Sequence, residues 1–200
     1  MDKMIERITS DLTVIGGGIA GMCAAIAAAR KGLKVALVND RPVLGGNASS
    51  EIRVSINGAA YNGNSPSVYA REGGIVEEIK LRIVRYGCLY NEKLATPMMD
   101  AAYFDMVYNE PNISLFLNTV IHNVSIDNGE VKEVFGVMLG SQRELVFESA
   151  LCADCSGDGI VGYKAGAHYM WGRESKEQFN ESLAPEQADS YVLGDTMLFR

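Results

Sequence analysis

The feature that most restricts this chain is the run at residues 12–29, LTVIGGGIAGMCAAIAAA, which carries no charged side chain over 18 positions and has glycines at 16, 17, 18 and 21. Eighteen uncharged residues reach the lower limit for a membrane span. Two features argue for another structure. The glycines crowd the first half of the run, and the preceding MDKMIERITSD is net acidic, the opposite of a signal peptide's basic start. The pattern predicts a strand over 12–15, a glycine turn, a helix over 19–31, a stop at Gly32 and a second strand over 34–38, together a βαβ unit. Gly16, Gly18 and Gly21 then have GxGxxG spacing where that spacing has a mechanism. Gly16 permits the tight turn, Gly18 lets a pyrophosphate approach the backbone, and Gly21 lets the helix pack closely on the sheet. Gly17, Ile19 and Ala20 complete the cradle, because the first N–H groups of the helix and its positive dipole end face the phosphates. The motif so placed predicts a bound dinucleotide. The competing reading is a glycine-rich turn of some other doubly wound sheet.

A dinucleotide fold holds a ribose through an acidic residue at the end of the second strand. Here Asn39 stands at that point, with Asp40 next and Arg41 after it. Asn39 has a donor and an acceptor for a ribose, and Asp40 reaches one by a small shift of the strand end. Arg41 keeps a 2′-phosphate open as an alternative.

Composition narrows the partners. The 200 residues include 18 basic and 25 acidic side chains, a net charge of −7, and are 48% hydrophobic, which suits one or two globular domains. An acidic chain without a Lys/Arg cluster lacks the footprint of a nucleic-acid binder. Neither nucleic acid nor a membrane is expected as a partner, and the oligomeric state is left open. Cysteines at 23, 88, 152 and 155 show no framework spacing and read as reduced thiols of a cytoplasmic protein. Cys152 and Cys155 form a CxxC, but there is no second pair and His122 and His168 are isolated, so no metal site is expected. A thioredoxin-type CxxC opens a helix, whereas this one closes a strand-like run, which favours two half-buried thiols over a redox pair.

The stretch RPVLGGNASSEIRVSINGA continues with two glycines, which allow close backbone approach, and with short neutral hydrogen-bonding groups at Asn47, Ser49 and Ser50. Read alone, it is either a second ligand loop or a polar surface loop. The whole run VIGGGIAGMCAAIAAARKGLKVALVNDRPVLGGNASSEIR resembles the FAD-dependent oxidoreductases of the two-dinucleotide-binding-domain superfamily. It is most similar to the bacterial family often found beside carbohydrate-degrading enzymes. The resemblance implies FAD as cofactor and a chain that returns along the pyrophosphate and ribitol at Gly45, Gly46, Asn47, Ser49 and Arg53. No His lies between 41 and 60, so noncovalent FAD is implied.

Downstream, 71–86 has apolar residues at helical spacing with Glu78 four before Arg82, and Thr96-Pro97 opens a second helix that runs to about Pro111. From Ile113 the period changes to two: ISLFL, TVIHNVSID, an Asn128-Gly129 turn, EVKEVFGVML and ELVFESALCADC, an antiparallel meander. The resemblance implies that such a meander is inserted before the last strand of the nucleotide domain and that Val120 contacts adenine through its backbone. His122 reads as a partly buried sheet residue. The segment ADCSGDGIVGYKAGA is a strand, a turn and a short helix ended by Gly166. The resemblance places Gly157 over the pyrophosphate, while Asp158 either touches the cofactor or caps the helix.

The expected fold is therefore α/β, a Rossmann-like FAD-binding domain over 1–169 with a parallel sheet and an inserted antiparallel meander. Residues 170–200 begin a substrate domain that is truncated, so the fragment is not expected to be active alone. His168, Trp171 and Arg173 are polar or aromatic candidates there, each with a surface role as the simpler reading. The expected activity is hydride transfer between noncovalent FAD and a small-molecule substrate, carbohydrate-derived by the resemblance. No catalytic acid or base is legible. Two other readings stay open: an enzyme of the thiazole-synthase type holding a nucleotide adduct, and a non-catalytic FAD- or NAD-binding module.

Overall fold

The structure, a computed structural model, describes residues 5–54, 56, 72–87 and 96–194. The predicted first strand is β1 (Ile5–Ile15), much longer than the four residues expected. After it come α1 (Ile19–Arg30) and β2 (Val35–Val38). Gly32 stops the helix with φ +91°, a left-handed stop that glycine adopts without strain. A single 3-10 turn, Gly46–Ala48, follows β2, and then α2 (Gly74–Arg85) and α3 (Pro97–Tyr108). Thr96 is the N-cap residue of α3 and Pro97 its first residue, as the Thr-Pro pair predicts. The start of the helix predicted at Arg71 lies outside the described residues, as does Cys88.

β3 (Ile113–Phe116), β4 (Thr119–Asp127), β5 (Glu130–Met138) and β6 (Arg143–Asp154) complete one sheet in the order β3-β2-β1-β6-β5-β4. The turn between β4 and β5 has φ +51° at Asn128 and +79° at Gly129, the paired positive φ of the hairpin that Asn-Gly encodes. One expectation is corrected here. The run ISLFL is not part of the meander, because β3 pairs β2 in parallel with Leu37 beside Leu115. Alternation of period two is shared by a parallel edge strand and a meander strand, so pattern alone does not separate them.

β1 and β6 form a long parallel ribbon whose two halves serve different purposes. Near its C-terminal end, β2 joins β1 from Leu12–Val35 to Ile15–Val38. Near its N-terminal end, β5 joins β6 from Glu133–Glu148 to Met138–Arg143. The meander's third strand is thus the last strand of the nucleotide fold. The chain passes from β3 to β4 directly beneath the end of β2, where the Thr119 N–H donates to the Asn39 carbonyl at 2.9 Å.

Successive strand residues face opposite sides, so the core is double. Val14, Val35 and Leu37 pack with Met22 and Ile26 of α1, Ile79 of α2 and Tyr103 and Met106 of α3. On the other face Ile15, Ala36 and Val38 pack with Ile121, Val134, Leu145, Phe147 and Val161. An edge-to-face contact between Phe116 and Phe147, centroids 5.1 Å apart, ties β3 to the meander half of the ribbon. α4 (Ile160–Lys164) and a short α5 (Lys176–Phe179) follow.

Candidate functional site

The parallel strands β1, β2 and β6 end at a cleft of about 820 Å³, within the roughly 300–1,000 Å³ range of small-molecule and cofactor sites. It lies where an open α/β sheet binds ligands, outside the carboxyl ends of the strands. Its floor is the turn between β1 and α1. Gly16 has φ +106°, and a Cβ there would stand 2.2 Å from the Cys155 carbonyl oxygen. At Gly21 a Cβ would meet the Gly16 carbonyl oxygen at 1.9 Å. The protein's own packing therefore demands glycine at both positions. Gly17 is buried, and a Cβ would strike the side chains of Leu44 and Asn39.

Gly18 differs. Its φ of −67° and ψ of 177° suit any residue, and the nearest atom to a Cβ there would be the Gly46 Cα at an ordinary 3.9 Å. Gly18 lines the cleft together with Ile19 and Ala20, and α1, for which it is the N-cap residue, has no side-chain cap and no acid in its first turn. The first N–H groups of α1 are thus presented at the cleft, where an anion satisfies them and the helix dipole favours it.

The second wall is the loop after β2. Gly45 has φ +107° and donates its N–H to the Gly17 carbonyl at 2.8 Å, and Gly46 lies so close to Gly18 that a Cβ would stand 3.0 Å from its Cα. The two glycine turns are in mutual contact, which places Gly45, Gly46 and Asn47 on the cleft. Ser49 and Arg53 do not line it. Ser49 is fully buried and its hydroxyl accepts from the Glu51 N–H at 3.3 Å, while Arg53, at φ +71°, donates its N–H to the Ser49 carbonyl at 2.7 Å. Both shape the loop from behind.

The end of β2 divides its two polar residues. Asn39 is buried and its amide group bonds inward: Oδ1 accepts the Gly17 N–H at 2.9 Å, and Nδ2 donates to the carbonyls of Arg41 and Val43 at 3.1 and 2.8 Å. It locks the glycine turn to the following loop. Asp40 is exposed on the cleft beside it. Arg41 also lines the cleft, but its guanidinium pairs with Glu51 at 3.1 Å across the loop.

Val120, at the start of β4, and the turn after β6 with Gly157 and Asp158 complete the lining. Gly157 has φ +89°. Asp158 is exposed on the cleft and is not the cap of α4. That task belongs to two residues the sequence reading missed. Asp154 Oδ2 accepts from the N–H groups of Val161 and Gly162 at 2.8 and 3.1 Å, and the Ser156 hydroxyl accepts from Ile160 at 3.1 Å while donating to Asp154 at 2.6 Å. Burial pushes the Asp154 carboxyl up, but these hydrogen bonds, the Ser156 hydroxyl foremost, outweigh it and hold it below the ordinary carboxylate range. The signal available was an Asp followed two residues later by Ser, just before a helix.

The CxxC thiols pack against opposite core clusters, Cys155 with the face bearing α1 and Cys152 with the other. Burial pushes Cys152 up to about 11, with Asp154 and Cys155 adding to it, and burial and then Asp154 raise Cys155. Neither is a poised nucleophile. His122 is exposed rather than partly buried and lies off the cleft, as do His168, Trp171 and Arg173. Arg173 is engaged by Asp189 and stacks over the Tyr191 ring at 5.4 Å. Among the described residues no cluster of potential metal ligands occurs, and no helix is long and apolar enough to cross a membrane.

The family model described as FAD dependent oxidoreductase matches residues 11–198. No curated protein matches the chain. Among solved structures, Mycobacterium smegmatis Sdh1 is similar at 19% identity and a TM-score of 0.53, over 74% of this chain and 34% of its own. E. coli quinol fumarate reductase FrdA is similar at 16% identity and 0.52, over 75% and 33%. A geranylgeranyl bacteriochlorophyll reductase-like protein of Thermoplasma acidophilum is similar at 17% identity and 0.52, over 82% and 43%. These likenesses are of fold, and the chain spans between a third and less than half of the length of each.

Proposed function

The chain belongs to the FAD dependent oxidoreductase family, with FAD as its cofactor, and from that premise we propose that the cleft at the strand ends is where FAD binds noncovalently. Gly18 is the observation that carries this reading: neither the backbone nor any neighbouring atom requires glycine there, yet a side chain would project into the cleft at the open end of α1. A pyrophosphate lying against Gly18 explains the residue, and the α1 N–H groups of Ile19 and Ala20, which line the cleft, supply its donors.

In this reading Asp40 accepts from the ribose hydroxyls, because Asn39 is engaged in holding Gly17 and the 41–43 loop. Val120 borders the adenosine end beside Asp40, and Gly45, Gly46 and Asn47 follow the chain of the cofactor toward the flavin together with Gly157 and Asp158. Ile52, Val54 and Ile56 add apolar side chains to the cleft lining. When bound, FAD supplies the acceptor or donor for a hydride. The residues described here bind and orient it, and none of them stands as a general acid or base. The whole protein's reaction, in this proposal, is hydride exchange with a small, carbohydrate-derived substrate, supported by the resemblance to the bacterial family found beside carbohydrate-degrading enzymes. Neither nucleic acid nor a membrane belongs to the proposal, and the compartment proposed is the cytoplasm.

Titration of the purified protein into FAD, followed by quenching of flavin fluorescence, tests the site. Saturable binding that ADP competes away and FMN does not is expected, since FMN lacks the adenosine half and its ribose. Absence of saturable FAD binding overturns the assignment.

A further inference from the structure

The cleft-side loop 45–54 contains one 3-10 turn and touches the β1–α1 turn directly at Gly45, whose N–H bonds the Gly17 carbonyl; further supports hold the loop from behind. These supports come from one face of α3. Asp100 is nine-tenths buried, and its carboxyl accepts two hydrogen bonds from a single loop residue: the Ser50 N–H on Oδ1 at 2.8 Å and the Ser50 hydroxyl on Oδ2 at 2.5 Å. One turn along, Tyr103 is fully buried and donates its hydroxyl to the Ala48 carbonyl at 3.1 Å. The Tyr103 ring also backs Gly45, where a Cβ would stand 2.6 Å from Cε2. Positions i and i+3 of a helix share a face, so loop residues 45, 48 and 50 all rest on one rigid edge.

That edge is rigid because the rest of the same face, Met99, Ala102, Met106 and Val107, is packed into the core with α1 and α2. Neither Asp100 nor Tyr103 lines the cleft. A buried carboxyl contributes nothing to apolar packing and costs free energy unless hydrogen-bonded. Here both of its oxygens bond the same loop residue. We propose that Asp100 and Tyr103 are positioning residues, an α3 clamp that sets Gly45, Gly46 and Asn47 at the distance from Gly18 that FAD requires. This inference rests on the cleft being the FAD site.

Three variants test it in the full chain. Asp100→Leu keeps the size and removes both acceptors; FAD affinity is expected to fall about 10- to 100-fold, the scale of two lost buried hydrogen bonds. Asp100→Asn keeps an acceptor for the Ser50 N–H and an amide donor that the Ser50 hydroxyl can accept, so affinity should return to within about 3-fold of the parent. Tyr103→Phe keeps the ring against Gly45 and loses the bond to Ala48, for an expected loss of about 3- to 10-fold. Hydrogen–deuterium exchange without FAD supplies a second readout. Peptides covering 45–54 should exchange faster in Asp100→Leu, with no change in α1, and recover in Asp100→Asn. Should Asp100→Leu fail to fold, Ser50→Ala removes one of the same two bonds from the loop side and carries the test.

Parental FAD affinity in Asp100→Leu, or in Ser50→Ala with unchanged exchange of the loop, overturns the clamp while leaving the cleft assignment standing. Failure of the parent protein to bind FAD overturns the cleft assignment and the clamp with it.

Discussion

Replacing Gly18 with alanine separates the needs of the fold from the needs of the ligand. In the protein alone the substitution is mild. The backbone at Gly18 is extended with negative φ, and the added carbon meets only the Gly46 Cα, at 3.9 Å. The remaining cost is the difference between glycine and alanine at a helix N-cap, about 0.5–1 kcal/mol. For a domain of this size that lowers Tm by roughly 1–4 °C. The effect on binding should be much larger. The new carbon projects about 1.5 Å from the backbone into the cleft and pushes a pyrophosphate off the first turn of α1. Each hydrogen bond from an N–H to a charged oxygen is worth about 1.5–3 kcal/mol, so losing two costs about 3 kcal/mol or more. That corresponds to at least about a 100-fold rise in Kd for FAD. Thermal unfolding without ligand, followed by circular dichroism, and a fluorescence titration with FAD measure both sides on one preparation. Gly18→Leu should abolish binding with a similarly small change in the unliganded fold. Unchanged FAD affinity in Gly18→Ala refutes the pyrophosphate assignment, and so does a loss of binding matched by a collapse of Tm, because glycine would then be serving the fold.

Three further outcomes follow from the geometry. Asp40→Ala should weaken FAD binding by about 1–3 kcal/mol with Tm preserved, whereas Asn39→Ala should lower Tm as well, since it strands the Gly17 N–H and two carbonyls; equal thermal stability of the two variants would contradict the division of labour between them. The Asp154 carboxyl is held below its ordinary range in the fold, so its contribution is complete above about pH 5 and is lost as pH falls through the carboxylate range. The Tm gap between the parent and Asp154→Ala should therefore narrow on acidification, and a gap constant from pH 7 to pH 3 would refute the capping role. Cys152, pushed up to about 11, should be alkylated by iodoacetamide at pH 7 at least about 100-fold more slowly than a free thiol, measured site by site in the mass spectrum, and alkylation at the free-thiol rate would count against its burial.

How much of this was legible in the residues depended on whether a local conformation or a distant partner decided the matter. Glycine at 16, 18 and 21 between an apolar strand and a helix reports backbone demands directly, and the turn formed as expected with Gly16 at φ +106°. Asn128-Gly129 and Thr96-Pro97 are equally local, and both marked real boundaries. The extension of β1 to Ile5 was hidden because the charged lead MDKMIERITSD breaks the apolar run by which the strand is recognised. Glu6 and Arg7 are strand residues whose charges pair across the sheet, Glu6 with Arg143 and Arg7 with Glu133 and Glu148. The membership of β3 in the parallel half is a matter of crossover, which leaves no trace in its alternation.

The candidate site divides in the same way. The cleft gathers Gly16, Gly17, Gly18, Ile19, Ala20, Asp40, Gly45, Gly46, Asn47, Val120, Gly157 and Asp158 from segments more than a hundred residues apart. Asn39 is also at the cleft, yet its amide faces inward to three backbone partners that only the folded loop provides. Gly21, Ser49 and Arg53 support the walls without lining them. Asp100 and Tyr103 were invisible as loop supports, since a helix pattern shows that a face is buried but not which loop lies against it.

The most direct test of the account is the visible absorbance spectrum of the purified protein after incubation with FAD and removal of free flavin by gel filtration. The account predicts flavin bands that travel with the protein at close to one FAD per chain in the parent and are absent from Gly18→Leu; a colourless parent, or a yellow Gly18→Leu with the same flavin content, would contradict it.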